Sequence, residues 1–247
     1  MTLQTFFNEN KRVALGFSGG VDASFLLYAG LSYGANIRPY YIKTAFQPQF
    51  EFDDAMRLAR DLHVEVTVIE LDILSVPIVA DNPSDRCYYC KNALFGALKA
   101  CAIADGYTVL IDGTNASDDA DDRPGMRALS EMSVRSPLRE CGITKAEVRR
   151  LSKEARLFTW DKPAYACLAT RVPTGDVITA EVLARIEAAE DALFALGYTD
   201  FRVRVYEGAA RLQFPQDQMV RVVREASAVV VAIKPHFGSV FLDLAGR

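Results

Sequence analysis

Short apolar runs and longer helical periodicities take turns along the first half of the chain. Residues 13–17, 37–43, 64–71 and 108–112 are runs of strand length, dominated by apolar and β-branched side chains. Between them the spacing predicts helices: one opening near Asp22 and running through residues 25–29, one over residues 53–63, and one over residues 88–105. In the second of these Ala55, Leu58, Ala59 and Leu62 share a face. Apolar strands separated by helices predict an α/β fold with a parallel sheet covered on both faces. Ligands of such sheets lie beyond the carboxyl ends of the strands, so the loops after Phe17, Lys43, Leu71 and Asp112 are expected to face one crevice.

The second half reads differently. Thr144 and Glu147 form a capping box that opens a helix over residues 144–155. Residues 160–175 show no period and are bounded by Pro163, Pro173 and Gly175, which predicts a structured loop and a domain boundary near Gly175. Residues 1–175 are then the parallel-sheet domain and residues 176–247 a small α+β domain. Its helix, residues 179–196, is expected to turn Val182, Leu183, Ile186, Ala189, Leu193 and Leu196 to the core and to stop at Gly197. A hairpin follows over residues 201–206 and 211–214, turning at Glu207-Gly208, then a helix from Gln216 and a strand over residues 239–244. Strand alternation sets Arg202 and Arg204 on one face, a spacing that suits a phosphate clamp and equally a solvated strand face.

Bulk properties narrow the function. The 247 residues carry a formal charge of −4, with a pI near 5.3, so no diffuse basic surface points to nucleic acid. The first ten residues lack a basic segment followed by an apolar one, and the longest apolar run near the end, residues 228–233, is far too short to span a bilayer. Five cysteines are too few for a disulfide scaffold. A cytoplasmic protein with thiol or metal chemistry is expected.

The candidate chemistry starts at Ser18-Gly19-Gly20-Val21-Asp22, set between the first strand and the first long helix. Paired glycines allow positive φ and close approach to an anion, and the free N–H groups of the next helical turn point at it. Ser18 adds a hydroxyl, and Asp22 a carboxylate for magnesium or for capping. Neither the lysine-bearing phosphate loop nor the Gly-x-Gly-x-x-Gly spacing is present. After Asp112, the Asp-rich stretch through Gly125 offers Gly113, small enough for a purine to lie against, and Arg123 for an anionic group. Cys87 and Cys90 form a Cys-x-x-Cys where a helix starts, an arrangement that favours thiolate chemistry or metal ligation. Cys167 stands in the proline-bounded loop near Arg171. Cys101 reads as packing, and Cys141 has no evident partner.

The glycine loop resembles the Ser-Gly-Gly-x-Asp-Ser loop of the ATP pyrophosphatases, the PP-loop enzymes that cleave ATP to AMP and pyrophosphate, except that Ala23 stands where they have serine. An ordered set of segments resembles one branch of them, the LarE family of sulfur-inserting enzymes in nickel-pincer nucleotide cofactor synthesis. The set comprises Ser18 to Asp22, Asn82-Pro-Ser-Asp-Arg-Cys-Tyr-Tyr-Cys-Lys91, Asp112-Gly-Thr-Asn115, Asp122-Arg-Pro-Gly-Met126, Val134-Arg-Ser-Pro-Leu138, Trp160-Asp-Lys-Pro-Ala164 and Cys167-Leu-Ala-Thr-Arg171. The resemblance implies an adenine nucleotide α-hydrolase-like domain binding ATP and Mg2+. It also implies adenylation of a carboxylate on pyridinium-3,5-biscarboxylic acid mononucleotide and attack by sulfur to give a thiocarboxylate.

In that family the residue at Cys167 is either a sacrificial sulfur donor or, with Cys87 and Cys90, a ligand of a [4Fe–4S] cluster; with all three cysteines present, this chain resembles the cluster-bearing members. A zinc site is the alternative and would need a fourth ligand beyond the two histidines available, His63 and His236. The resemblance further implies roles for Lys43 in the nucleotide site, for Arg202 and Arg204 at the substrate phosphate, for Arg171 at the acyl-adenylate, and for Glu190, with Glu187 as its rival. Gln213 stands where the family has an acidic residue, so no general base is assigned there. A homo-oligomer and other proteins of the same cofactor pathway are the expected partners. A tRNA-thiolating PP-loop enzyme and a non-catalytic nucleotide-binding module are the competing readings.

Overall fold

The computed structural model describes residues 1–118 and 123–247, and of Arg123 the backbone alone. The first elements are α1 (Leu3–Glu9), β1 (Arg12–Gly16), α2 (Val21–Ser32), β2 (Asn36–Lys43), α3 (Gln49–Asp61) and β3 (Thr67–Glu70). Then come α4 (Pro77–Ala80), α5 (Arg86–Ala104), β4 (Val109–Ile111), α6 (Arg123–Glu131), α7 (Pro137–Glu140) and α8 (Lys145–Glu154). The remainder is α9 (Ala180–Ala195), the strands β5 (Arg202–Tyr206) and β6 (Ala209–Gln213), α10 (Gln216–Arg224), α11 (Ala226–Ile233) and β7 (Val240–Leu242).

Two compact units result: Met1–Ile73 with Asp85–Lys162, and Leu74–Ser84 with Pro163–Arg247. The boundary expected near Gly175 falls inside the second of them. In the first unit the described residues form a parallel sheet of order β3-β2-β1-β4. Its central strand is buried on both sides: Val13 and Leu15 join α1, α2 and α8 in one core, while Ala14 joins α5 and α6 in the other. The strand expected from Val64 starts only at Thr67. His63 takes a φ of 53° and the Val64 amide returns to the Ala59 carbonyl, so these residues close α3 instead of extending the sheet.

The second unit has β5 antiparallel to β6, with Arg204 opposite Arg211, and β7 parallel to β6. Glu207 and Gly208 both have positive φ, 48° and 77°, as a tight hairpin between right-twisted strands requires. α9 lays Leu183, Ile186, Ala189 and Leu193 into the core, and Glu190 with them. The Leu74–Ser84 segment is tied to its own unit by backbone bonds, Ile178 N to Ala80 O at 2.8 Å and Gly175 N to Asn82 O at 2.9 Å. The Asn82 amide adds a bond to Pro173 O at 2.7 Å. Among the described residues no helix is long and apolar enough to cross a membrane.

Candidate functional site

In the first unit β1 ends at Gly16 and α2 begins at Val21, leaving residues 17–20 as the turn between them. Gly19 has a φ of 72°, and a Cβ added there would stand 2.7 Å from Ala55 Cβ on α3. Both facts demand glycine. Gly20 is the N-cap of α2 and has no side chain to cover the helix end, so the first amides of α2 are left for a ligand. The turn opens a cavity of about 330 Å³ that Ser18, Gly20, Asp22, Lys91, Asp112 and Thr114 help to line. A smaller cavity of about 140 Å³, lined by Tyr40, Tyr41, Ile42, Leu94 and Phe95, shares Gly16, Ser18 and Phe95 with it.

Ala23 lines the larger cavity, whereas the next hydroxyl along, Ser24, is fully buried with no hydrogen-bond partner among the described residues. The hydroxyl missing at position 23 is therefore not replaced from position 24. Gly113 also borders the cavity, and its smallness serves α2 directly: an added Cβ would lie 2.9 Å from the Ala23 amide nitrogen.

Lys91 is one cation at this cavity, and a second, on Asp22, is not revealed by the sequence pattern. Lys145, the first residue of α8, places Nζ 2.5 Å from Asp22 Oδ2. Asn115 approaches the other carboxylate oxygen at 3.4 Å. Burial raises the Asp22 carboxyl above its ordinary value, and Lys145 opposes that rise. Asp112, at the end of β4, is buried and raised for the same reason, although it accepts from Thr114 Oγ1 at 2.5 Å and Ser136 Oγ at 2.7 Å. Lys43 at the end of β2 donates to Gln49 at 3.3 Å and lies over the Phe52 ring. Arg123 opens α6; its side chain lies outside the described residues, as do residues 119–122.

Cys87 and Cys90 occupy the first turn of α5, three residues apart on neighbouring positions of one face. Cys87 is exposed and its sulfur is 3.9 Å from Arg86 Nη2. The residue after Cys90 is Lys91, a lining residue of the larger cavity, so one helix start carries both the thiol pair and a cation of that cavity.

Cys167 belongs to the second unit, where it caps a single helical turn, Leu168–Arg171. Arg171 and Glu190 form a fully buried ion pair, Nε to Oε1 at 2.9 Å, with side chains 0% and 1% exposed. Glu190 Oε1 also accepts from the Val203 amide at 3.0 Å, and its Oε2 accepts from the Tyr165 hydroxyl. Glu187, the alternative acid, lies on the same helix but is not among its buried residues. Arg202 is 4% exposed and donates to Ala164 O and to Phe201 O, each at 2.6 Å. Burial and the neighbouring Arg171 charge bring its guanidinium down to about 10. Arg204 donates to Thr170 O and to Gln213 Oε1 at 2.6 Å. Among the described residues no group of three His, Cys, Asp or Glu side chains is placed to hold a metal ion.

An all-parallel sheet whose first strand runs into a two-glycine turn, with the cavity at the carboxyl ends of its strands, defines a PP-loop ATP pyrophosphatase-type domain. No family model matches the chain. It is 34% identical to the pyridinium-3,5-bisthiocarboxylic acid mononucleotide synthase of Lactiplantibacillus plantarum, over 87% of this chain and 79% of that protein. It is 38% identical to an uncharacterized protein of Synechocystis, over 99% and 92% of the two chains, and 30% identical to one of Methanocaldococcus jannaschii, over 96% and 90%. The chain belongs to the family of that synthase, the LarE family.

Proposed function

We propose that this enzyme uses ATP to adenylate a carboxyl group of pyridinium-3,5-biscarboxylic acid mononucleotide, releases pyrophosphate, and converts that carboxyl to a thiocarboxylate. The observation that carries the reading is the glycine turn opening onto a charged cavity in a chain 34% identical to a synthase of the bisthiocarboxylic product. The free amides of α2 and Ser18 suit the phosphates, and the smaller apolar cavity between the strand ends and α5 suits a purine. Asp22 offers a hard oxygen donor at the cavity wall and is the residue that would hold magnesium, which neutralises charge on the leaving pyrophosphate. Lys145 compensates the Asp22 carboxylate.

Sulfur enters at Cys167. Its thiolate forms the new C–S bond as the C–O bond to AMP breaks; loss of the Cys167 Cα proton with cleavage of its Cβ–S bond then frees the thiocarboxylate and leaves dehydroalanine. Cys87 and Cys90 supply two thiolates, and among the described residues no group of three His, Cys, Asp or Glu is placed to hold a metal ion. Two sulfur carriers leave different traces. A sacrificial cysteine becomes dehydroalanine at position 167, whereas a cluster held by Cys87, Cys90 and Cys167 leaves the residue intact and gives an anaerobic preparation containing iron and acid-labile sulfide.

The test is pyrophosphate release and thiocarboxylate formation from MgATP and the pyridinium substrate, in the wild type and in Cys167→Ala. Release should persist in the variant while thiocarboxylate disappears. Absence of substrate-dependent pyrophosphate from the wild type would refute the proposal.

A further inference from the structure

The segment that carries Cys167 has almost no backbone structure of its own. Residues 162–167 are outside helix and strand, so the loop depends on side chains for its hydrogen bonds. Those partners are nearly all guanidinium groups. Ala164 O accepts from Arg202 at 2.6 Å and from Arg247 at 3.3 Å, Ala166 O from Arg171 at 2.8 Å, Cys167 O from Arg171 at 3.3 Å, and Thr170 O from Arg204. Within the loop, Tyr165 reaches inwards. Its ring lies 4.5 Å from the Arg171 guanidinium carbon and 5.0 Å from that of Arg202, and its hydroxyl donates to Glu190 on α9.

The same ring thus contacts both cations that hold the loop's carbonyls, and its hydroxyl ties the loop to a carboxylate that is 1% exposed. Cation–π contact fixes the plane of the ring, and a hydroxyl-to-carboxylate bond in a buried site fixes its tip. Tyr165 is two residues from Cys167, on a stretch outside helix and strand, so fixing Tyr165 restrains the path of the backbone into the cysteine.

We infer that Tyr165 is a positioning residue for the Cys167 thiol: pinned between Arg171 and Arg202 and bonded to Glu190, it holds the loop so that the sulfur is presented in one place. This rests on the reading of Cys167 as the residue where sulfur enters. Burial beside Glu190 also raises the Tyr165 hydroxyl above its ordinary value, so the bond persists across the working pH range.

Peptide-resolved alkylation of the protein without nucleotide tests this directly. Iodoacetamide labelling of Cys167 is followed across pH in the wild type, in Tyr165→Phe, which keeps the ring, and in Thr170→Val, which removes the Thr170 Oγ1 bond to Cys167 O. Labelling in Tyr165→Phe should rise roughly tenfold, the factor expected when one hydrogen bond to a charged group is lost from a closed state. Thr170→Val should give a smaller rise in the same direction. Cys101 and Cys141, in the other unit, serve as internal controls and should keep their wild-type rates. In turnover, Tyr165→Phe should release pyrophosphate at the wild-type rate with an unchanged KM for the mononucleotide, and form thiocarboxylate about tenfold more slowly, because a displaced nucleophile loses effective concentration. Labelling of Cys167 within twofold of wild type in both variants overturns the inference. A wild type that releases no pyrophosphate refutes the proposed function, and the alkylation result still decides the role of Tyr165.

Discussion

Glu190 shows how a residue's chemistry is decided by what surrounds it. It sits on the apolar face of α9, paired with an arginine that no solvent reaches. Removing one partner of such a pair leaves a buried charge uncompensated, which costs roughly 3–5 kcal/mol. Glu190→Ala should therefore lower the urea midpoint strongly; a residue acting only in catalysis would lower turnover and leave the midpoint where it was. Asp112 makes a second case. Its carboxyl is held above its ordinary 3.8 by burial, so the folded state favours protonation more than the unfolded chain does. The stability it contributes is complete below 3.8 and is lost as pH rises through the raised value. Asp112→Asn, which cannot ionise, should gain on the wild type as pH climbs from 3.8 towards neutrality, read as a growing difference in urea midpoints. Gly19 was legible because the turn demands glycine there, by its φ of 72° and by its contact with Ala55. The pairing of Asp22 with Lys145 was not, since the two lie 123 positions apart and nothing in a lysine at a helix start names its partner. The alternation of Arg202 and Arg204 was equally legible, but not the carbonyls that occupy them.

At the scale of elements, the turn between β1 and α2 is held by its neighbours as much as by its own residues. α3 presses Ala55 against Gly19, and the segment after β4 brings Gly113 against the first turn of α2. Gly19→Ala should raise the KM for ATP at least tenfold, since a Cβ at a φ of 72° both strains the backbone and pushes α3 away. Pairing it with Ala55→Gly should recover part of the loss, whereas a purely conformational defect would show no recovery. Period and capping signals found the larger elements, including the Thr144 cap, whose hydroxyl accepts from the Glu147 amide at 3.3 Å. They missed α1, a seven-residue helix capped by Thr2, because so short a span holds too few turns for periodicity to register. The parallel pairing of β7 with β6 also escaped them, since local pattern sets which face a strand shows and not which neighbour it takes.

For the whole molecule, the decisive feature is the short excursion at Leu74–Ser84. The chain leaves the parallel-sheet unit after Ile73, contributes this strap to the other unit, and returns at Asp85, two residues before Cys87. A boundary read from Pro163, Pro173 and Gly175 could not see it, because the strap is eleven residues that look like any connection between a strand and a helix. Asn82 anchors the strap with a φ of 54° that asparagine tolerates well. The consequence is one of assembly. If the gene is divided between Lys162 and Pro163, the first piece still carries a docking segment for the second, with Ala80 and Asn82 carbonyls ready to receive the Ile178 and Gly175 amides. Residues 1–162 and 163–247 produced as separate polypeptides should find each other and co-purify, and Asn82→Ala in the first piece should weaken that reunion by about tenfold, the worth of one hydrogen bond plus the lost left-handed preference. The molecule is in effect a natural split protein joined by its own splint.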